Sequence, residues 1–277
     1  MILRGFESAS NGMMALMDQL DNTANNLANV NTTGYKKSAL TFKNVMDSAV
    51  YQVGNELIKG ESAGSTRYIG SLSMGSETMK LSYDFTQGGL AKTGVPYDFA
   101  LQGDGFFKLM DRDGNISYTR NGSFCRNSQS YLTTKEGEYV LDTDNRPIRL
   151  INDDMEGMEN RAEFKILVTE QGNIEAYDGT NRMQLGTFGI YNFSNKDNLI
   201  SIGESKFALR TPDEELMPPS TKFTIQQGML EMSNSNVVNE MLNTINTTRN
   251  YESLSRVVTT NGELLDSAIS LGRIRAV

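Results

Sequence analysis

Both ends of this chain carry apolar residues at helical heptad spacing, and every proline lies between them. From Phe6 the sequence places Ala9, Met13, Leu16, Leu20, Thr23 and Leu27 at alternating steps of three and four, which puts them on one helix face. Asn29, Thr32, Thr33 and Gly34 then supply a stop, Gly34 suiting the left-handed position after a helix. Near the other end Val238, Met241, Ile245, Thr248, Tyr251, Leu254, Val258, Asn261, Leu265, Ala268 and Leu271 follow at steps of three or four, behind a cap-like Ser233-Asn234-Ser235-Asn236 run. Gly262 makes a bend possible. Each stripe is narrow and includes Thr or Asn, so the two termini are expected to pair as an antiparallel or staggered coiled coil that other subunits complete.

The middle reads differently. Proline interrupts helices, and 17 of the 23 Phe and Tyr residues fall between Tyr83 and Phe223, so a β-rich core is expected there. Short strand-like runs alternate with turn signals: Lys80–Phe85, Phe99–Leu101, Phe106–Met110, Ile116–Thr119, Tyr139–Leu141, Phe164–Val168, Met183–Tyr191 and Thr221–Ile225. Residues 44–77, rich in Gly, Ser and Glu, read as an extended linker with short β pieces. The predicted fold class is α+β: an N-terminal helix in 1–43, the linker in 44–77, an all-β outer domain in 78–227 and a C-terminal helix in 228–277.

Composition narrows the chemistry. The 277 residues contain no His and one Cys, Cys125. Ser-His-Asp and Cys-His units, His metal sites, intramolecular disulfides and Cys-rich clusters are therefore excluded. A formal net charge of −8 opposes any grip on phosphate backbones, so no nucleic-acid partner is expected. No run approaches the roughly 18 apolar residues of a membrane helix, and the amino terminus lacks the apolar core of a secretory signal, so neither membrane insertion nor a cleaved signal peptide is expected.

The remaining motifs have plain readings. Gly60-Glu61-Ser62-Ala63-Gly64 spells a nucleophile elbow without the flanking strand, helix or His, so it reads as a small-residue loop. Asp111-Arg112-Asp113-Gly114-Asn115 opens like a calcium loop but lacks the closing ligands and sits where a hairpin must turn. The pairs Asp153-Asp154 and Glu214-Glu215 read as solvated loop charges. Gly103-Asp104-Gly105-Phe106-Phe107 is a turn into a strand, since no phosphate-binding helix follows. Cys125 reads as structural. No catalytic residue, metal ligand or cofactor site is assigned.

Three segments together resemble one family. Asn25-Asn26-Leu27-Ala28-Asn29-Val30-Asn31-Thr32-Thr33-Gly34-Tyr35-Lys36-Lys37 is similar to the N-terminal signature of the bacterial flagellar rod and hook proteins. Asp98 to Phe107, with Gly103, Gly105, Phe106 and Phe107, followed by Tyr118-Thr119-Arg120-Asn121-Gly122-Ser123-Phe124, resembles the stretch that opens their β domain. Gln227-Gly228-Met229-Leu230-Glu231-Met232-Ser233-Asn234 and the helix with Arg249-Asn250-Tyr251-Glu252 look like their C-terminal region. Phe99 stands where an aliphatic residue is usual, and Asn127–Tyr131 lacks the Gly common before the Leu of that turn.

The resemblance implies a non-enzymatic axial subunit whose terminal helices line a helical tube and whose β domain forms its outer layer. It also implies export by the flagellar type III apparatus, a place in the periplasmic rod of the basal body, and copies of itself and other rod and hook proteins as partners. Length and linker favour a distal-rod type over a proximal-rod type. The expected packing seam is Phe6, Met13, Leu16, Leu20 and Leu27 with Val238, Met241, Ile245, Leu254, Val258 and Leu265. Asn25, Asn26, Asn29 and Asn31 are expected to satisfy backbone groups at the helix exit or to bond a neighbouring subunit. A cell-wall glycan hydrolase and a surface adhesin stay open as alternatives.

Overall fold

The computed structural model describes residues 2–44, 48–53, 66–72, 76–151, 164–178, 182–210, 216–217 and 223–274. The Gly60–Gly64 motif and the pairs Asp153-Asp154 and Glu214-Glu215 lie outside them. The chain forms two compact units: one of residues 1–27, 38–82 and 237–277, the other of 28–37 and 83–236. The architecture is α+β, with a helix at each end and β structure between.

In the first unit, α1 spans Ile2–Ala28 and α2 spans Val237–Ile274. Strands β1 (Ser38–Asn44), β2 (Ser48–Val53), β3 (Thr66–Leu72) and β4 (Ser76–Tyr83) form two antiparallel or paired ribbons, β1 with β4 and β2 with β3. Much of the stretch read as a linker is therefore strand.

The two helices lie against each other in opposite directions. A Cβ placed on Gly12 would sit 3.2 Å from Leu254 Cδ1, and one on Gly5 would sit 3.9 Å from Asn261 Nδ2. Gly5 and Gly12 are seven residues apart, as are Leu254 and Asn261, so one helix reads down while the other reads up. Gly12 leaves room for Leu254 at this approach; Ala9, Ala15, Thr23 and Asn26 are also buried on α1. Gly262 leaves no break, and α2 runs through it as continuous helix.

The second unit contains β5 (Leu90–Lys92), β6 (Phe99–Gln102), β7 (Phe106–Met110), β8 (Ile116–Thr119), β9 (Cys125–Arg126), β10 (Leu132–Thr133), β11 (Tyr139–Val140) and β12 (Phe164–Val168). It continues with β13 (Asn173–Asp178), β14 (Arg182–Thr187), β15 (Ile190–Phe193), β16 (Leu199–Gly203), β17 (Lys206–Leu209), β18 (Leu216–Met217), β19 (Thr224–Gln227) and β20 (Met229–Glu231). The main sheet runs β16-β17-β8-β7-β11-β10-β9, with β15 also on β7 and β18 on β15. Strands β12-β13-β14 form a second sheet, and the pairs β19-β6 and β20-β5 complete the unit.

Strand β7 explains why this unit has two cores. Adjacent side chains on a strand face opposite ways, so Phe107 and Leu109 join one cluster while Phe106 joins the other. In the larger cluster Phe107 meets Phe124 edge-on at 5.3 Å between ring centroids, and Phe99 meets Phe188 at 5.1 Å. The run Met183–Tyr191, expected as one strand, is two. Phe188 and Gly189 donate their N–H groups to Gly172 and Leu141 carbonyls, so the chain leaves β13 before β15 pairs with β7. Asp111–Asn115 is the hairpin loop between β7 and β8, closed by Asp111 N–H to Asn115 O at 2.9 Å.

Candidate functional site

The three sequence motifs meet inside the second unit. Gly34 turns the chain after α1 with φ +68°, and its N–H donates to Glu231 O at 2.8 Å. A side chain at Gly34 would overlap the backbone of Asn121, so this position needs both the left-handed conformation and the missing Cβ. Thr33 donates its hydroxyl to Asn121 Oδ1 at 2.9 Å. Segments around residues 34, 121 and 231 are thereby held together before any charge is considered.

The charges then close the junction. Glu231, 1% exposed, accepts from Lys36 Nζ at 2.6 Å through Oε1 and from Arg120 Nη1 at 3.4 Å through Oε2. Gly88 N–H also donates to Oε1 at 3.0 Å, and Lys36 Nζ reaches Thr86 O at 2.8 Å. Arg120 lies over the Phe106 ring, 5.3 Å from its centroid. Burial pulls the Lys36 ammonium below its ordinary pKa, against the raising effect of Glu231; Arg120 is lowered by burial too, against Glu231 and Asp104. Asn234 adds a neutral clamp: Oδ1 accepts from Lys37 N–H at 2.7 Å, and Nδ2 donates to Asp84 O at 2.7 Å and Thr86 O at 3.1 Å.

This is a holding device. The central carboxylate takes donors from three chain segments and the ammonium donates to two, and among the described residues no group of His, Cys, Asp and Glu could hold a metal ion. The geometry fixes the segment that follows α1 against the segment that precedes α2.

Residues 6–36 match the family model described as "Flagella basal body rod protein", residues 100–176 match "Flagellar hook protein FlgE/F/G D1 domain", and residues 226–271 match "Flagellar basal body rod FlgEFG protein C-terminal". The chain is 31% identical to the flagellar basal-body rod protein FlgG of Borreliella burgdorferi, over 98% of this chain and 100% of that one. It is 30% identical to FlgG of Bacillus subtilis, again over 98% and 100%. It is also 30% identical to the basal-body rod protein FlgF of Mesorhizobium japonicum, over 94% of each.

The chain belongs to the flagellar rod and hook axial family. It is a structural subunit of the flagellar rod, in the basal body. The junction of this rod protein joins residues from each of the three matched regions: Lys36, Arg120 and Glu231.

The remaining motif residues divide by role. Asn26, 1% exposed, binds both backbone groups of Ser38: its Nδ2 donates to Ser38 O at 2.8 Å, and its Oδ1 accepts Ser38 N–H at 3.0 Å. Asn29 Oδ1 accepts the Thr32 hydroxyl at 3.1 Å, while Asn25 and Asn31 are exposed and Tyr35 is half-buried. Thr119, Phe106, Phe107 and Phe124 are buried, as are Gly105 and Gly122. Gly103 and Gly228 take positive φ at turns, and Ser233 Oγ accepts Ser235 N–H at 3.1 Å ahead of α2.

The residues written into the packing seam fall on more than one face. Phe6, Met13, Leu16, Leu20 and Leu27 are half-buried. Leu254, Val258 and Leu265 are half-buried toward α1, whereas Val238, Met241 and Ile245 are 64%, 50% and 48% exposed. In that first part of α2 it is Glu240 and Thr247 that are buried. Steps of three in succession, from Ile245 through Thr248 and Tyr251 to Leu254, rotate the stripe around the helix, because each falls short of a 3.6-residue turn. Lys36 and Lys37 close the N-terminal motif, yet neither carries a sequence signal separating a buried lysine from a solvated one. Only the distant carboxylate of Glu231 distinguishes Lys36.

Proposed function

We propose that this rod protein is a distal-rod-type subunit that assembles with copies of itself into a helical tube and passes torque from motor to hook. Its terminal helices pair as an antiparallel coiled coil in the inner layer, and the β-rich unit forms the outer layer. The observation that carries this reading is the two-sided character of α2. One face, with Thr247 and Leu254, packs toward α1; the opposite face presents Val238, Met241, Leu242 and Ile245 to solvent within two turns. A monomer gains nothing from such a patch, whereas a polymer buries it.

Between the helices Leu16, Met17, Leu20, Thr247, Thr248 and Tyr251 line a groove of about 180 Å³. Apolar surface on separate faces of one subunit suits head-to-tail contacts, which generate open helical polymers. The seam proposed from sequence, Phe6, Met13, Leu16, Leu20 and Leu27 with Val238, Met241, Ile245, Leu254, Val258 and Leu265, thus divides into residues for the pairing of α1 with α2 and residues for neighbouring subunits. The division into inner and outer parts proposed at 1–43, 44–77, 78–227 and 228–277 rests on the same picture.

The subunit acts without catalysis or cofactor. Export as an unfolded chain through the flagellar type III apparatus, without a cleaved signal, and residence in the periplasmic rod complete the proposal. The weighting toward the distal type rests on full-length similarity to proteins named FlgG.

An Ile245→Asp variant is expected to keep the folded β unit, read by near-ultraviolet circular dichroism, and to lose assembly and motility. Normal rods seen by electron microscopy of isolated basal bodies would refute the seam. Deleting the gene and locating where the axis stops assigns the rod segment.

A further inference from the structure

The second unit carries an apolar groove and, elsewhere on its surface, a strand with exposed isoleucines. The groove, about 490 Å³, is walled by Val95 and Tyr97, by Ile166 and Leu167 of β12, and by Met229. Exposed Lys92 and Lys165 stand at its rim. Gln227 holds its floor: Nε2 donates to Pro96 O at 2.8 Å and Ile166 O at 2.9 Å, and Oε1 accepts Val168 N–H at 3.1 Å. Two outward backbone groups of β12 are therefore already satisfied, and the groove offers side-chain contact rather than strand pairing. Val95 is 46% exposed inside it.

Strand β16 is the complementary feature. Among the described residues it ends the main sheet, pairing with β17 on one side only. Ile200 is 40% exposed and Ile202 is 56% exposed, and the register shift between Ser201 and Gly203 leaves Ile202 without a partner on β17. Leu199–Gly203 contains neither charge nor proline, so only its shortness and the register shift guard this edge. Acidic residues bracket it in sequence: Asp197 before, and Glu204 after, whose carboxylate contacts Lys206 at 2.6 Å yet leaves 59% of its side chain exposed.

We propose that β16 of one copy docks on this groove of a second copy, placing Ile200 and Ile202 against Val95 and Met229, with Asp197 and Glu204 facing Lys92 and Lys165. The charge pattern selects the partner: two lysines at the rim of an apolar groove meet two acids around an apolar strand, and both belong to this chain. The two surfaces differ, so the contact is heterologous and repeats from copy to copy. It gives the β-rich unit its own polymer contact, separate from the terminal helices, and rests on the reading of the chain as a self-assembling rod subunit.

The test uses the full-length chain with Cys125→Ser, carrying either Val95→Cys or Ile202→Cys at these exposed positions. Polymer formation is followed by sedimentation, and disulfide cross-linking by non-reducing electrophoresis after air oxidation. The expected result is a cross-linked dimer from the mixture of the two variants, none from either alone, and a ladder from a chain carrying both cysteines. Adding Lys92→Glu and Lys165→Glu is expected to abolish the cross-link. Polymers without a cross-link, cross-linking of either variant alone, or capture of Val95→Cys by Met241→Cys instead would overturn this contact and leave self-assembly standing. A chain that never sediments as polymer would overturn the self-assembly reading, and this contact with it.

Discussion

Lys36 Nζ lies 2.6 Å from Glu231 Oε1, joining the two ends of the β-rich unit through side chains wholly excluded from solvent. Arg120 bonds the other oxygen of the same carboxylate, so two cations share one anion. That inequality orders the expected damage. Glu231→Ala strands both cations and is expected to cost about 3–5 kcal/mol. Lys36→Met leaves the Arg120–Glu231 pair balanced and is expected to cost less. Urea unfolding of both variants checks the order; equal losses would mean that Arg120 contributes no compensation.

Gly34 is expected to resist every replacement. An alanine there would be held at φ +68° and would overlap the Asn121 backbone. The conformational part alone costs on the order of 1–3 kcal/mol. Thermal unfolding of Gly34→Ala should show a clear loss, and a stability equal to wild type would exclude the close approach.

Gly262 should behave in the opposite way. It lies within α2, and a Cβ there would meet nothing within 4 Å. Gly262→Ala is expected to raise helix stability by about 1 kcal/mol. Far-ultraviolet circular dichroism during thermal unfolding reads the gain; a loss would place a close neighbour or a functional bend at this residue.

Alkali should weaken the β-rich unit through Tyr118. Burial, with a smaller contribution from Tyr191, raises its phenol from 10.0 to about 12. The unfolded chain then loses its proton first as pH rises, so fewer protons are bound unfolded than folded and stability falls with pH. This contribution is fully present below pH 10 and disappears between pH 10 and about 12. Tyr118→Phe should flatten that part of the stability profile, and an unchanged slope would remove Tyr118 as its source.

Much of the β-rich unit was legible because alternation and turn chemistry are local. Phe106–Met110, Ile116–Thr119 and Phe164–Val168 were read with the bounds they have in the fold. The break at Phe188–Gly189 was not legible, since it arises from a change of strand partner. The stripe on α2 was read as one face, but consecutive steps of three carry it from the exposed side at Ile245 to the α1 side at Leu254. The motif residues themselves stood out in the sequence, whereas their meeting did not.

The sequence alone determined the helical ends, the β-rich middle, the absence of imidazole chemistry and the resemblance to flagellar axial proteins. Each follows from residue type and short-range spacing. Only the tertiary structure decided that Gly12 leaves room for Leu254 where α1 meets α2, that Met241 and Ile245 face solvent, and that Lys36 meets Glu231. The reason is physical: a side chain's periodicity reports the element it belongs to, while its burial and its partner depend on segments that folding brings together from far along the chain.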